Sequence, residues 1–177
     1  MRFYNCTAIA LATAIVGFPA SYAGAQDFSA NLNGFNEVPS SILSDGTGTF
    51  TLNLVRSGEN SGTATYTLTY SGLSSPATQG HIHLSKVHTA GGIIVWLCQT
   101  ATNPSPVANT PACPAGGGAV TGTITPSSVV AITGQLVPAG DFEALVDALR
   151  TNSAYANVHT TNAPAGEIRG QIRGQDE

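Results

Sequence analysis

Hydrophobic and polar residues alternate with a period of two along much of the chain. In the segment 48–55 every second residue is hydrophobic, from Phe50 to Leu54, and the residues between them are polar. The segment 63–70 repeats this pattern with alternate threonines, and turn-forming residues at 56–60 separate the two segments. The pattern predicts an antiparallel hairpin with one buried face and one face in water.

Further segments of the same kind follow one another between Gly, Pro and Ser residues. They predict six more strands, at 28–32, 79–84, 93–98, 119–125, 154–160 and 167–173. One helix is predicted after Asp141, a good N-cap, because hydrophobic residues recur at helical spacing from Phe142 to Leu149 and Arg150 follows in the last turn. About eight short strands and one short helix predict an all-β fold, an antiparallel Greek-key β-sandwich or barrel.

The first residues predict a signal peptide. Arg2 precedes an apolar run from Ala8 to Phe18, and small residues follow, with the cleavage expected before Gln26. Residues 1–25 are thus expected to be removed, and residues 26–177 to form one domain. No later segment approaches the roughly 18 apolar residues of a membrane helix, so no membrane span is expected.

Charge argues against nucleic acid as a partner. The chain has 6 Lys and Arg residues and 10 Asp and Glu residues, and Arg2 is the only charge in the predicted signal. The predicted mature domain therefore carries a net charge of −5. Only 9% of residues are charged while Thr, Ser, Asn and Gly abound, which is typical of exported β proteins. A secreted or periplasmic location is expected.

Two cysteines, Cys98 and Cys113, remain after the predicted cleavage. In an oxidising compartment such a pair predicts a disulfide, worth on the order of 3 kcal/mol for a loop of this length. A metal-thiolate pair is the less favoured alternative, because the spacing is far from C-x-x-C.

The histidines suggest a metal site. His81 and His83 are two positions apart on a predicted strand, so their side chains point to the same side with Cα atoms about 6.5 to 7 Å apart. His159 has the same arrangement on a later strand. Ile82 and Val158 alternate with them and are expected to face the core, which places the histidines on an outer surface or in a cleft. Neutral imidazole is a common ligand of copper and zinc, and His81, His83 and His159 are the candidate ligands.

The alternative is a polar outer face without a metal, because spacing alone does not bring two strands together. His88 follows Lys86 in a predicted loop and is expected to be a solvated histidine. Glu37, Glu167 and Arg169 are interpreted as a structural ion-pair group, because a general acid or base would need a convergent partner that the sequence does not show. No G-x-S-x-G motif indicates a serine nucleophile.

Five motifs in order resemble the chordin (CHRD) domain family over roughly residues 27–173. They are Asn33–Pro39 (NGFNEVP), Tyr70–Leu73 (YSGL), His81–His83 (HIH), Asn157–Thr160 (NVHT) and Gly166–Gly170 (GEIRG). The resemblance implies an extracellular β-domain, which occurs singly in exported microbial proteins and repeated in chordin, an antagonist of bone morphogenetic proteins. The cysteine-rich modules of chordin are missing from this chain, so a growth-factor partner is not implied.

The histidine layout is also similar to the copper site of copper-zinc superoxide dismutases, which are Greek-key barrels. This likeness implies His81, His83 and His159 as copper ligands. A further cluster of histidines and an aspartate for zinc is not evident, nor is a bridging histidine unless His88 serves, so copper is favoured over zinc and a binding role over an enzymatic one.

Three functions follow from these patterns. The first is an exported binding module for a copper ion, with an extracellular protein as a further partner. The second is a copper-dependent enzyme like superoxide dismutase, although a net charge of −5 would repel an anionic substrate. The third is a structural or adhesive extracellular domain without a metal.

Overall fold

The computed structural model describes residues 24–175 and shows strands in the order that the hydrophobic pattern predicts. The strands are β1 (Ala25–Asn33), β2 (Thr47–Gly58), β3 (Ser61–Ser71), β4 (Ala77–Leu84), β5 (Gly92–Cys98), β6 (Gly118–Ile124), β7 (Ala154–Thr160), β8 (Ile168–Gln171) and β9 (Arg173–Gly174). One helix, α1 (Phe142–Arg150), precedes β7. No helix among the described residues is long and apolar enough to cross a membrane. The predicted signal peptide lies almost wholly outside the described residues.

All strand pairs are antiparallel and form one sheet. Its order is β5-β4-β7-β8-β1-β2-β3-β6, with β9 paired to β1, so β8 returns beside β1 after a long connection. The two ends of the sheet approach each other, because the Val130 N–H, shortly after β6, donates a hydrogen bond to the carbonyl of Ile94 in β5 (3.0 Å). The predicted all-β class is confirmed, in the form of a nearly closed barrel.

The hairpin of β2 and β3 has the predicted burial. Phe50 and Leu54 are fully buried, and across from them Leu68 and Ala64 are buried too, while the alternate threonines face outward. The turn is shorter than the predicted loop, since β2 continues to Gly58 and β3 begins at Ser61. A β-bulge near Gly58 accommodates the extra residue.

The helix α1 is confirmed in its bounds and its cap. The Asp141 side chain accepts a hydrogen bond from the Ala144 N–H (3.0 Å), which satisfies a donor that the first turn of a helix leaves free. Its hydrophobic residues, Phe142, Leu145, Val146 and Leu149, are all buried.

The last predicted strand, 167–173, is divided in two. β8 ends at Gln171, and β9 begins at Arg173 and pairs with β1. Between them Ile172 is fully buried and donates its N–H to the Ala154 carbonyl (2.9 Å). The register against β1 is the same on both sides of this break, since Arg169 pairs with Asn33 and Arg173 with Ser29. Ile172 faces the core as Ile168 does, so the alternation continues through the break.

Cys98 and Cys113 form a disulfide, as predicted. Cys98 is at the end of β5 and is fully buried. Backbone hydrogen bonds support the enclosed loop at its base, where Gln99 donates to Pro111 and Cys113 donates to Gln99 (both 2.9 Å).

Strand β7 is buried at every position, which is unusual for an antiparallel strand with one face toward water. One face, with Ala156 and Val158, contacts the hydrophobic core. The other face is polar, with Tyr155, Asn157 and His159, and loops cover it. This polar face lies outside the core but away from solvent.

Candidate metal centre

Strand register brings the predicted site residues into neighbouring rows on one face of the sheet. His81 in β4 lies opposite Asn157 in β7, and Asn157 lies opposite Arg169 in β8. In the next row His83 lies opposite Tyr155. Directly opposed residues of an antiparallel pair have side chains on the same face, so these side chains are neighbours.

The three histidines are buried, so the outer surface, one of the two positions predicted for them, is wrong. The exposed fractions of His81, His83 and His159 are 0%, 8% and 7%. The face itself was predicted correctly, since Ile82 and Val158 point into the core. The histidines are covered because the loops after β4 and β7 fold back over them, through backbone contacts that the period of the strands does not encode.

These loops hold two of the rings by their Nδ1 atoms. His83 Nδ1 lies 2.9 Å from the Gly91 carbonyl, and His159 Nδ1 lies 3.0 Å from the Pro164 carbonyl. A carbonyl can only accept, so each Nδ1 is the protonated nitrogen and each Nε2 carries a free lone pair. Backbone carbonyls orient metal-ligating histidines in this way.

The three imidazoles converge. His81 Nδ1 lies 3.1 Å from His159 Nε2, and one nitrogen from each of the three rings lies within 4.8 Å of the others. Two bonds of about 2.0 Å to one ion, at an angle of about 100°, would give this 3.1 Å separation. Within residues 24–175, His81 Nε2 and His83 Nε2 are buried and have no hydrogen-bond partner.

Burial keeps the rings neutral. Desolvation, followed by the charges of His159 and His83, lowers the pKa of His81 to about 2, and desolvation is also the main reason that the pKa of His83 falls to about 4. Desolvation lowers the pKa of His159 too. A neutral imidazole is the form that binds metals, so the site has its ligands ready at neutral pH.

Aromatic residues and one arginine surround the imidazoles. The edge of Trp96 meets His81, with ring centroids 4.4 Å apart, and Tyr155 stacks on His83 at 4.7 Å with nearly parallel planes. The guanidinium carbon of Arg169 lies 3.4 Å from the centre of the Tyr155 ring. These contacts restrict the rotamers of His81 and His83.

Sequence reasoning missed Trp96, Tyr155 and Asn157. Two of them could have been found, because Tyr155 and Asn157 are four and two positions before His159 on the same strand and so share its face. Trp96 lies in a continuous apolar segment, where no alternation distinguishes the two faces. His88 is exposed in the loop, as expected.

The structure does not join Glu37, Glu167 and Arg169 into one ion-pair group. No nitrogen of Arg169 lies within 4.0 Å of a carboxylate oxygen in the described part of the chain. Arg169 instead donates to the carbonyls of Lys86 (3.3 Å) and Thr89 (2.9 Å), which ties the loop after β4 to the sheet.

The two carboxyl groups have separate surroundings. Glu167 is fully buried and accepts hydrogen bonds from the hydroxyl or backbone groups of Ser44, Ser74 and Thr160. Glu37 reaches over the polar face from the loop after β1, close to Asn157. Desolvation raises the pKa of Glu37 to about 7, although the charge of Arg169 and the Asn157 side chain oppose the rise.

Glu37→Gln should therefore change how stability depends on pH. Between pH 4.5, the ordinary pKa of this carboxyl, and about 7, the folded protein holds a proton that the unfolded chain has lost. The contribution of Glu37 to stability thus decreases as pH rises through this window, by roughly 3 kcal/mol at most. We expect Glu37→Gln to be the more stable protein at pH 8 and to lose this advantage at pH 4.5.

The measurement is urea unfolding of wild type and variant in EDTA from pH 4.5 to 8. The exposed Glu59→Gln is the matched control, because it changes the same charge in the hairpin loop. A difference between wild type and Glu37→Gln that does not vary with pH would contradict the expectation.

A comparison with protein families matches the CHRD domain model to residues 28–172. The matched range runs from β1 to the residue between β8 and β9, and includes all three histidines and both cysteines of the disulfide. No curated protein sequence matches the chain significantly.

Proposed function

Because this chain belongs to the CHRD domain family, we propose that it is an exported binding module, and that it binds a copper ion through His81, His83 and His159. The convergence of three neutral, buried imidazoles is the observation that supports a metal. A buried polar atom without a partner is costly, on the order of 1–3 kcal/mol, and among residues 24–175 His83 Nε2, the nitrogen that keeps a lone pair when Nδ1 donates to Gly91, has none. A bound ion would occupy lone pairs that the fold has turned toward one another.

The donor set favours copper among the divalent ions. Imidazole nitrogen suits copper and zinc, and affinity for a given nitrogen site is generally highest for Cu²⁺. In this proposal the protein sequesters or carries the ion, and the covering loops protect it from solvent.

Export is supported by two features of the chain. The Cys98–Cys113 disulfide is stable in an oxidising compartment and rare in reducing ones. The N-terminal residues have the composition of a secretory signal. A location outside the cytoplasm, with an extracellular protein as a further partner, is consistent with the family.

Copper titration into EDTA-treated protein tests the proposal, with the fluorescence of Trp96 as the readout. Trp96 is the only tryptophan of the chain and contacts His81, so Cu²⁺ in the site should quench most of its emission at one equivalent. Zn²⁺ should bind more weakly, at least about tenfold. Stoichiometric copper should also raise the melting temperature. If neither emission nor melting temperature responds to copper, the proposal fails.

A further inference from the structure

We propose that Asn157 is a fourth ligand of the ion, through its Oδ1 atom, and that Glu37 orients it. This inference rests on the proposed copper site and adds an oxygen to its three nitrogens. Asn157 Oδ1 lies 3.2 Å from His159 Nε2, and that nitrogen lies 3.1 Å from His81 Nδ1. The oxygen therefore lies beside the imidazole nitrogens that would bind the ion.

The contact between Asn157 and His159 is not a satisfactory hydrogen bond. His159 Nδ1 donates to the Pro164 carbonyl, which leaves Nε2 of the neutral ring as an acceptor. Asn157 Oδ1 is an acceptor as well, so two lone pairs face each other over 3.2 Å. A cation between or beside them turns this repulsion into two favourable contacts.

The amide could avoid the repulsion by turning its nitrogen toward His159, but Glu37 favours the opposite orientation. The Asn157 side chain interacts with the Glu37 carboxyl and acts to lower its pKa, as a hydrogen-bond donor does, so the Nδ2 end of the amide faces Glu37. Asn157 Oδ1 is then turned toward the histidines, and His83 interacts with the same side chain. Glu37 is a positioning residue in this arrangement.

Gly166 allows Glu37 to reach this place. It has a φ of +133°, and a Cβ on it would lie 2.5 Å from Glu37 Oε1. The carboxyl thus packs directly against backbone at the turn before β8. A larger residue here would push Glu37 away from Asn157.

The arrangement gives a site of three nitrogens and one neutral oxygen. Separations of 3.1 and 3.2 Å between the ligand atoms fit bonds of about 2.0–2.2 Å to one ion, at angles of about 90–105°. The amide oxygen adds no charge. Replacing it with a carboxylate should strengthen binding, and removing it should weaken binding about tenfold.

Electron paramagnetic resonance of the Cu²⁺-loaded protein tests this inference, together with copper affinity. Asn157→Leu removes the proposed oxygen ligand and keeps a similar side-chain volume, whereas Asn157→Asp keeps an oxygen and adds a charge. Asn31→Leu, at an exposed position, is the matched control. We expect a changed copper hyperfine splitting and about tenfold weaker binding in Asn157→Leu. Asn157→Asp should show a different spectrum with equal or tighter binding, and Asn31→Leu should match the wild type.

The outcomes separate this inference from the proposed function. If the wild type binds copper and Asn157→Leu has the same spectrum and affinity, Asn157 is not a ligand although the three-histidine site stands. If the wild type binds no copper, both fail. Should Asn157→Leu not fold, Asn157→Asp decides, because an unchanged spectrum in that variant would equally overturn the inference.

Discussion

Copper affinity should fall at least about 100-fold when His81 and His83 are both replaced by alanine. The double variant removes two of the three imidazoles that converge, and leaves His159 with Asn157. Loss of a residue that only hydrogen-bonds to a metal ligand typically lowers metal affinity 10–100-fold. Loss of two ligands should therefore lower it by at least the larger factor. Isothermal titration of Cu²⁺ into EDTA-treated protein measures it.

His88→Ala is the matched control, because His88 is exposed in the loop after β4 and should keep wild-type affinity. The single variant His83→Gln keeps a polar side chain of similar length and guards against misfolding of the double variant. Equal copper binding by wild type and double variant would place the ion elsewhere and contradict the proposed site.

The fold could be predicted from local patterns where burial alternates. The hairpin of β2 and β3 has one wet face, so its period-2 pattern is complete, and α1 is defined by Asp141 and the helical spacing that follows. The division of the last strand could not be predicted, because Ile168 and Ile172 keep the alternation through it and no sequence pattern marks the break. Around the break the backbone changes partner, since the Ile172 N–H donates to Ala154 before β9 pairs with β1, and such partners depend on contacts between distant segments.

The sequence predicts the face of the sheet on which the histidines lie, but it does not predict that they are buried. Strand periodicity alone puts the side chains of His81 and His83 on one side of their strand, and it puts His159 on the side of its strand that faces away from the core. Burial arises from Gly91 and Pro164, whose carbonyls bind the rings from loops without any pattern of their own. Loop paths follow from tertiary contacts, so an H-x-H motif cannot tell a covered site from an open surface.

Because the sequence does not predict the paths of loops, it suggests an ion pair between Glu167 and Arg169 that the structure does not contain. Two residues apart on a predicted strand, they share a face, and opposite charges suggest a pair. In the structure Glu167 precedes β8 and is surrounded by hydroxyl groups from three different segments. Ser44 comes from the loop before β2, Ser74 from the loop after β3, and Thr160 from the end of β7.

Glu167 also connects these segments to the candidate metal centre. Thr160 donates to Glu167 Oε2 (2.6 Å) and accepts from the Ala163 N–H (3.1 Å), at the start of the turn that presents Pro164 to His159. Burial acts to raise the pKa of Glu167, but hydrogen bonds from Ser44, Thr160 and Ser74 outweigh it and hold the pKa below 4.5. The carboxylate is thus an ionised, fully bonded group in the interior.

Glu167→Ala should destabilise the protein by about 3–5 kcal/mol, because it leaves several buried donors without an acceptor. For a domain of this size the melting temperature should fall by about 10 °C or more. Glu167→Gln keeps the shape but turns an amide group toward donors, and we expect an intermediate loss. The exposed Glu59→Gln should melt like the wild type.

The pH dependence of Glu167→Gln distinguishes a lost charge from lost packing. A carboxyl whose pKa is lowered by folding stabilises the protein above its unfolded value of 4.5, and this contribution is lost as pH falls through the folded pKa. The gap between wild type and Glu167→Gln should therefore narrow below pH 4.5 and be full at pH 7. A gap of the same size at pH 3.5 and pH 7, measured by urea unfolding in EDTA, would show that the ionised carboxylate does not hold the three segments together.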